Sequence, residues 1–257
     1  MKSGAAVRLL AVLSILAISQ ITAALGDDDL AANPYRPSVG SPANLSVPGH
    51  FELEAGFAGE TASGARVNYT PMLLKYAFTD RIGVTFGISP WIRASSPDGS
   101  ISGNGNGALT LKLAQPVSDA FMIGGELTAT VPVASHDLGS DRSALTLNLI
   151  ASNDFAGFHS DINVNATRLG DTLVPGASGQ VYGWSAGISH PLNEEFGAGI
   201  ELSGTRQSGL GTTNQWLTYV SYAVSKKLVL DMYGGRGSAI GIRINKVGFG
   251  FTYLFAR

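Results

Sequence analysis

The chain has 257 residues, of which 14% are charged and 44% hydrophobic, with 33 glycines, no cysteine and a formal net charge of −2. Without cysteine there is no disulfide framework, thiolate metal site, catalytic thiol or lipid-modified N-terminal cysteine, and so small a net charge excludes the basic field that nucleic-acid binding needs. A glycine-rich, charge-poor chain of this length fits a single all-β domain.

The first element is a targeting segment. Lys2 and Arg8 supply positive charge, "LLAVLSILAISQI" an apolar core and "TAALG" small residues, so residues 1–26 read as a signal peptide cleaved between 23 and 26. The apolar run is shorter than the roughly 20 residues a spanning helix requires. Residues 27–48 hold Pro34, Pro37, Pro42 and Pro48 among Asn, Ser and Gly, which predicts an extended lead-in without secondary structure of its own.

From residue 49 to 257 the pattern has period two. "FELEAGF" sets Phe51, Leu53, Ala55 and Phe57 against Glu52, Glu54 and Gly56, and "RIGVTFGI" and "ALTLKLA" repeat the alternation. Twelve such segments are expected, near 50–60, 66–79, 81–94, 107–117, 120–133, 142–153, 157–169, 180–190, 196–206, 214–225, 227–236 and 242–255. Pro71 and Pro90 interrupt two of them and mark bulges or strand ends. Short Asp/Pro/Asn turns ("TDR", "PVSD", "NDFAG", "PLNEE", "SKK") alternate with longer Gly/Ser/Asn loops ("SSPDGSISGNGNG", "ASHDLGSD", "GDTLVPGASG", "QSGLGTTN", "GRGSAIG"). Tight turns at one rim and loose loops at the other, joining strands of this length, predict a transmembrane antiparallel up-and-down β-barrel of bacterial outer-membrane type.

The last strand, "KVGFGFTYLFAR", decides which face is outside. Phe249, Phe251, Tyr253 and Phe255 lie opposite Gly248, Gly250 and Thr252. Small and polar residues cannot fill a dry core, so the aromatic face meets lipid and the polar face lines a hydrated bore. By the same alternation Leu111 joins Phe249, Phe251, Tyr253 and Phe255 on the lipid side. Glu52, Glu54, Lys75, Arg93, Lys112, Glu126, His159, Asp161, Glu201, Asp231 and Lys246 are expected to line the lumen, as a selectivity constriction or a salt-bridge lattice. Met122, Ile150, Val229 and Leu254 fall on that polar face without an evident reason.

Catalysis is not expected. The four histidines are His50, His136, His159 and His190; in "HSD" the serine Ser160 points away from His159 and Asp161, and "SHD" at 135–137 sits in a loop. No two histidines have ligand-like spacing, so no metal or cofactor is assigned. "GNGNG" at 103–107 lacks the helix that a phosphate cradle needs.

The stretches "RPSVGSPANLSVPGHFELEAGF", "LLKYAFTDRIGVTFGISPWIR", "RSALTLNLIASNDFAGFHSDINVNATRLG" and "YAVSKKLVLDMYGG" resemble the family of outer-membrane barrels named for the MetA pathway of phenol degradation. The resemblance implies a Gram-negative outer-membrane protein and a channel for small compounds, aromatic ones among them; the family brings no catalytic residues. The barrel reading itself leads to the expectation of a monomer that passes small solutes, hydrophobic ones included, passively, with outer-membrane lipid around it and insertion by the barrel-assembly machinery. A closed structural or surface-interaction barrel and an outer-membrane lipid hydrolase are the alternatives.

Overall fold

The computed structural model describes residues 30–135, 137–172 and 174–255. The expected signal peptide and the loop histidine His136 lie outside them. Among the described residues there is no helix, and fifteen strand segments form a single sheet. They are β1 (Phe51–Ala62), β2 (Ala65–Tyr69), β3 (Met72–Ala77), β4 (Ile82–Ile88), β5 (Ile92–Ser96), β6 (Gly99–Gly103), β7 (Gly107–Pro116), β8 (Phe121–Val131), β9 (Leu145–Phe155), β10 (Phe158–Arg168), β11 (Gln180–Pro191), β12 (Phe196–Gln207), β13 (Gly211–Ser225), β14 (Leu228–Ala239) and β15 (Ile242–Leu254).

Every named pair is antiparallel, and β15 returns to β1 with Tyr253 opposite Leu53 and Phe249 opposite Phe57. The sheet therefore closes on itself, and among the described strands only the short β6, which pairs with β5 alone, keeps an edge. Segments β2 and β3, β4 and β5, and β6 and β7 are each one interrupted stave, so the ring is a 12-stranded barrel. Two of the three interruptions fall at Pro71 and Pro90, whose missing N–H groups break the ladder. Isolated bonds carry the chain past the gap: Gly56 N–H donates to the Pro71 carbonyl (3.1 Å) and Thr70 N–H to that of Trp91 (3.0 Å).

Turns at one rim are short, at residues 78–81, 117–120, 156–157, 192–195 and 226–227. At the other rim only the connections at 132–144 and 169–179 are long. The loops expected from "QSGLGTTN" and "GRGSAIG" are mostly strand instead. β13 begins at Gly211 and β14 runs to Ala239, because Ile240 (φ 52°) and Gly241 (φ 78°) turn the chain in two residues. Positive φ at both central positions is the type I′ geometry that matches strand twist, and Ser63–Gly64 (φ 47° and 83°) does the same.

Alternation then separates the faces. Along β7, Leu109, Leu111 and Leu113 are exposed on the outside while Thr110 and Lys112 are buried inside. Along β15, Phe249 is 60% exposed and Tyr253 and Phe255 also lie open on the outside, with Phe251 half-buried between cross-strand neighbours; Gly248, Thr252 and Leu254 are buried within. The outer ends of the strands at the short-turn rim carry an aromatic girdle. Phe51 meets Tyr76 (4.8 Å between ring centroids), Tyr76 meets Phe78 (5.2 Å), Phe196 meets Tyr222 (4.7 Å) and Tyr253 meets Phe255 (5.0 Å).

Arg93 departs from the expected alternation. It is exposed and stands opposite Asn68, which stands opposite Gly59, which stands opposite Val247, 60% exposed on the outer face. Side chains directly across a ladder share a face, so Arg93 points away from the lumen. The irregular residues 89–91 around Pro90 shift the phase of the stave by one, which reverses every later side chain.

Placing a charge on the outer face in the middle of a stave should be costly. Leu111→Arg is expected to lose about 2 to 4 kcal/mol of stability in refolding titrations into lipid vesicles, whereas Leu111→Met should stay within about 1.5 kcal/mol of the parent.

Candidate functional site

The lumen is occupied by the chain itself. Residues 31–48 have no strand of their own beyond a single parallel bridge between Pro48 and Ala77, yet Pro37, Pro42, Ala43 and Ser46 are buried. The segment makes a re-entrant loop. Its first arm starts at the short-turn rim, where Ala32 N–H donates to the Lys226 carbonyl (2.7 Å), and its second returns to that rim, where Gly49 N–H donates to the Ala77 carbonyl (2.8 Å). The arms are tied together inside the barrel: Asn33 donates to the Leu45 carbonyl (2.6 Å), Asn44 to the Asn33 side chain (3.0 Å) and the Tyr35 hydroxyl to the Asn44 carbonyl (2.9 Å).

Buried coil leaves backbone donors without a ladder, and such donors must be satisfied or cost a few kcal/mol each. The prolines at 34, 37, 42 and 48 reduce the number of donors. Wall side chains accept from several of the rest. Glu52 accepts from Asn33 N–H (2.8 Å) and Glu54 from the N–H groups of Tyr35 (2.6 Å) and Arg36 (3.1 Å). Glu201 accepts from Val39 (3.0 Å) and Gly40 (3.2 Å), and Ser152 from Ala43 (2.7 Å). Asn163 grips Ser41 on both sides, accepting from its N–H (3.1 Å) and donating to its carbonyl (3.0 Å).

Two buried lysines complete the lattice. Lys75 lies between Glu52 and Glu54, 2.6 Å from the latter, and donates to the Asn33 carbonyl (2.6 Å). Lys112 pairs with Glu126 (2.9 Å) and donates to the Pro42 carbonyl (2.6 Å). Both ammonium groups also sit over the Tyr35 ring, at 3.8 and 4.0 Å from its centroid, a placement worth more once water is excluded. Two strands from Glu54, on β14, Asp231 receives two bonds of 3.1 and 3.2 Å from Arg36. A Cβ at Gly56 or Gly250 would collide with a cross-strand backbone carbonyl, of Phe249 or Ala55, and would lie 2.7 or 2.6 Å from the Arg36 guanidinium, so the close backbone keeps those positions small and the loop's arginine lies in the space they leave. One apolar stretch of the inner face lies beside the loop: Ala43, fully buried, packs on Gly124, whose cross-strand neighbour is the buried Ile150.

The remaining inner-face residues do not touch the loop directly, though Asp161 reaches it through Ser152. Lys246 pairs with Glu60 (3.2 Å) on the loop side. His159 stands between Asp154 (2.6 Å) and Asp161 (3.2 Å). Ser152 donates to Asp161, not to the imidazole, so the nucleophile–base contact of a hydrolytic triad is missing from this group. Among the described residues no group of three or more His, Asp or Glu could hold a metal ion. Tyr35 and Arg36 are central here, although their stretch of sequence has no periodicity to reveal it.

Two polar spaces flank the loop. The one toward the long connections is about 320 Å³, with Val39 and Gly40 as its floor and Asn148, Asn165, Ser203, Thr213 and Gln215 among its walls. The one toward the short turns is an open cleft at the rim, about 350 Å³, bounded by Pro34, Arg36, Tyr219 and the turn residues Asn193 and Glu195.

No family model matches the chain, and no curated protein matches it. Solved structures do. The COG4313 outer membrane channel from Pseudomonas putida F1 superposes with a TM-score of 0.67 at 15% identity, over 85% of this chain and 100% of that one. The NanC porin gives 0.59 at 10% identity over 78% and 98%, and the KdgM porin 0.53 at 13% over 79% and 99%. At these identities the likeness establishes the barrel fold.

Removing the cation between two buried carboxylates should be severe. Lys75→Met is expected to cost about 3 to 5 kcal/mol in urea unfolding, because Glu52 and Glu54 stay buried without their counter-ion. Adding Glu52→Gln should recover part of that loss.

Proposed function

We propose that the protein is a bacterial outer-membrane channel for small solutes, closed at rest by its own N-terminal segment. One observation carries this: the bore is interrupted by a hydrogen-bonded loop that is not part of the wall, with a polar chamber on one side and a polar cleft on the other. A purely structural barrel would instead be filled by interdigitating side chains of the wall itself. The outward apolar band and aromatic girdle suit lipid, and the solved barrels with the same fold are named as channels and porins. Export through residues 1–26, with cleavage between 23 and 26, insertion by the barrel-assembly machinery and a monomeric state belong to the same proposal. So does membership of the MetA-pathway family, with which the COG4313 likeness accords. Amide and hydroxyl walls in the loop-side chamber favour solutes that form hydrogen bonds over purely hydrocarbon ones.

The loop sets a direct test, helped by the absence of native cysteine. A Cβ at Gly124 would lie 3.2 Å from that of Ala43, close to the roughly 3.5 to 4.5 Å of a disulfide. Purified protein lacking residues 31–47 should conduct constantly, whereas Ala43→Cys/Gly124→Cys protein in planar bilayers should be silent when oxidised and recover after reduction the intermittent openings of the parent. Equal conductance in the two states removes the loop from gating. Silence that persists even when residues 31–47 are deleted favours the closed structural barrel.

A further inference from the structure

Six arginines stand on the outer face toward the loop-side rim. Arg66, Arg93, Arg168, Arg206, Arg236 and Arg243 are all exposed. Their register places them outside: Arg206 is opposite Tyr182 (57% exposed), Arg168 opposite Leu145 (48%) and Arg236 opposite Trp216 (43%). Arg66 joins the row of Arg236 through Thr61 and Asn245. Among the described residues no Asp or Glu shares the outer face of the strands; the carboxylates on strands point inward, and Asp98, Asp141 and Asp171 sit in turns and loops. Arg66 and Arg236 donate to the side chains of Asn68 (3.1 Å) and Asn245 (3.0 Å), which are neutral.

Height in the membrane gives the belt its meaning. On three staves an arginine lies ten residues from an aromatic of the short-turn girdle: Phe158 to Arg168, Phe196 to Arg206 and Tyr253 to Arg243. Ten residues span about 33 Å along a strand, or about 25 Å along the membrane normal at a tilt near 40°. That is the height of the apolar band of an outer-membrane barrel, so the guanidinium groups stand where lipid headgroups begin. Below Arg168 an external groove of about 210 Å³ is lined by Leu127, Leu145 and Leu147, with Gln180 and Tyr182 beside the arginine. Arg168 and Arg206 flank that pair from the two neighbouring strands.

We propose that this belt, centred on Arg168 and Arg206, binds the phosphorylated headgroup of a glycolipid in the loop-side leaflet, with an acyl chain along the leucine groove. Guanidinium is the side chain that matches phosphate oxygens in pairs, and apolar contact beneath it selects a lipid over a free anion. The site depends on the barrel spanning a membrane and not on its conducting.

The test uses full-length protein in neutral detergent, titrated with bisphosphorylated lipid A and with the same lipid after removal of its phosphates, bound lipid being counted by native mass spectrometry. The phosphorylated lipid should bind the parent at least about tenfold more tightly than the dephosphorylated one, and Arg168→Gln/Arg206→Gln should lose that preference while Arg168→Lys/Arg206→Lys keeps part of it. Equal binding of the two lipids by the parent protein overturns the assignment, and this comparison needs no variant to fold. Displacement of the lipid by millimolar inorganic phosphate, or unchanged binding by the glutamine variant, overturns it as well. Bilayer conductance should be the same in the glutamine variant and the parent, which separates failure here from failure of the channel reading.

Discussion

Peptide groups buried without a strand partner must still be paired, and this requirement organises the interior. A loop of eighteen residues, 31–48, enters a ring of strands whose own backbone bonds are already spent on one another. Away from the short-turn rim, where Ala32 and Pro48 meet backbone, the wall offers it side chains. Carboxylates at Glu52, Glu54 and Glu201 therefore receive N–H groups, and the ammonium groups of Lys75 and Lys112 reach carbonyls. Burying those charges would be prohibitive singly. In this arrangement each lysine is set against a carboxylate, and Arg36 brings the loop's own counter-ion to Asp231.

The period-two pattern made the barrel, its strand number and most of its faces legible, since each strand has one side in contact with apolar surroundings and one with polar groups. It remained readable at "KVGFGFTYLFAR" because Gly248, Gly250 and Thr252 leave room inside. The phase was lost after Pro90, where a local irregularity that composition does not specify turns Arg93 outward. Loop lengths were overestimated where glycine and threonine continue a paired strand, as in residues 211–213. The destination of residues 31–48 could not be read at all. Arg36 meets a partner 195 positions away and Gly40 one 161 away, and coil has no periodicity to announce what it will touch. Seen from the wall, the apolar Met122, Ile150, Val229 and Leu254 on a polar face were the sequence clue that something other than water lies inside, and Ile150 and Leu254 are indeed buried.

The outside is divided as clearly as the inside. Phenylalanine and tyrosine crowd the short-turn end, while tryptophan, tyrosine and arginine share the other. Aromatic rings tolerate any headgroup, whereas guanidinium discriminates for anions. The two leaflets are thus offered different chemistry by a single sheet whose strands simply alternate.

Because both arms of the inner loop reach the same rim, at Ala32 and Gly49, nothing is threaded through the ring. The gating proposed above therefore needs no strand pair to part: withdrawing the hairpin exchanges its wall partners for water, and reseating it restores them.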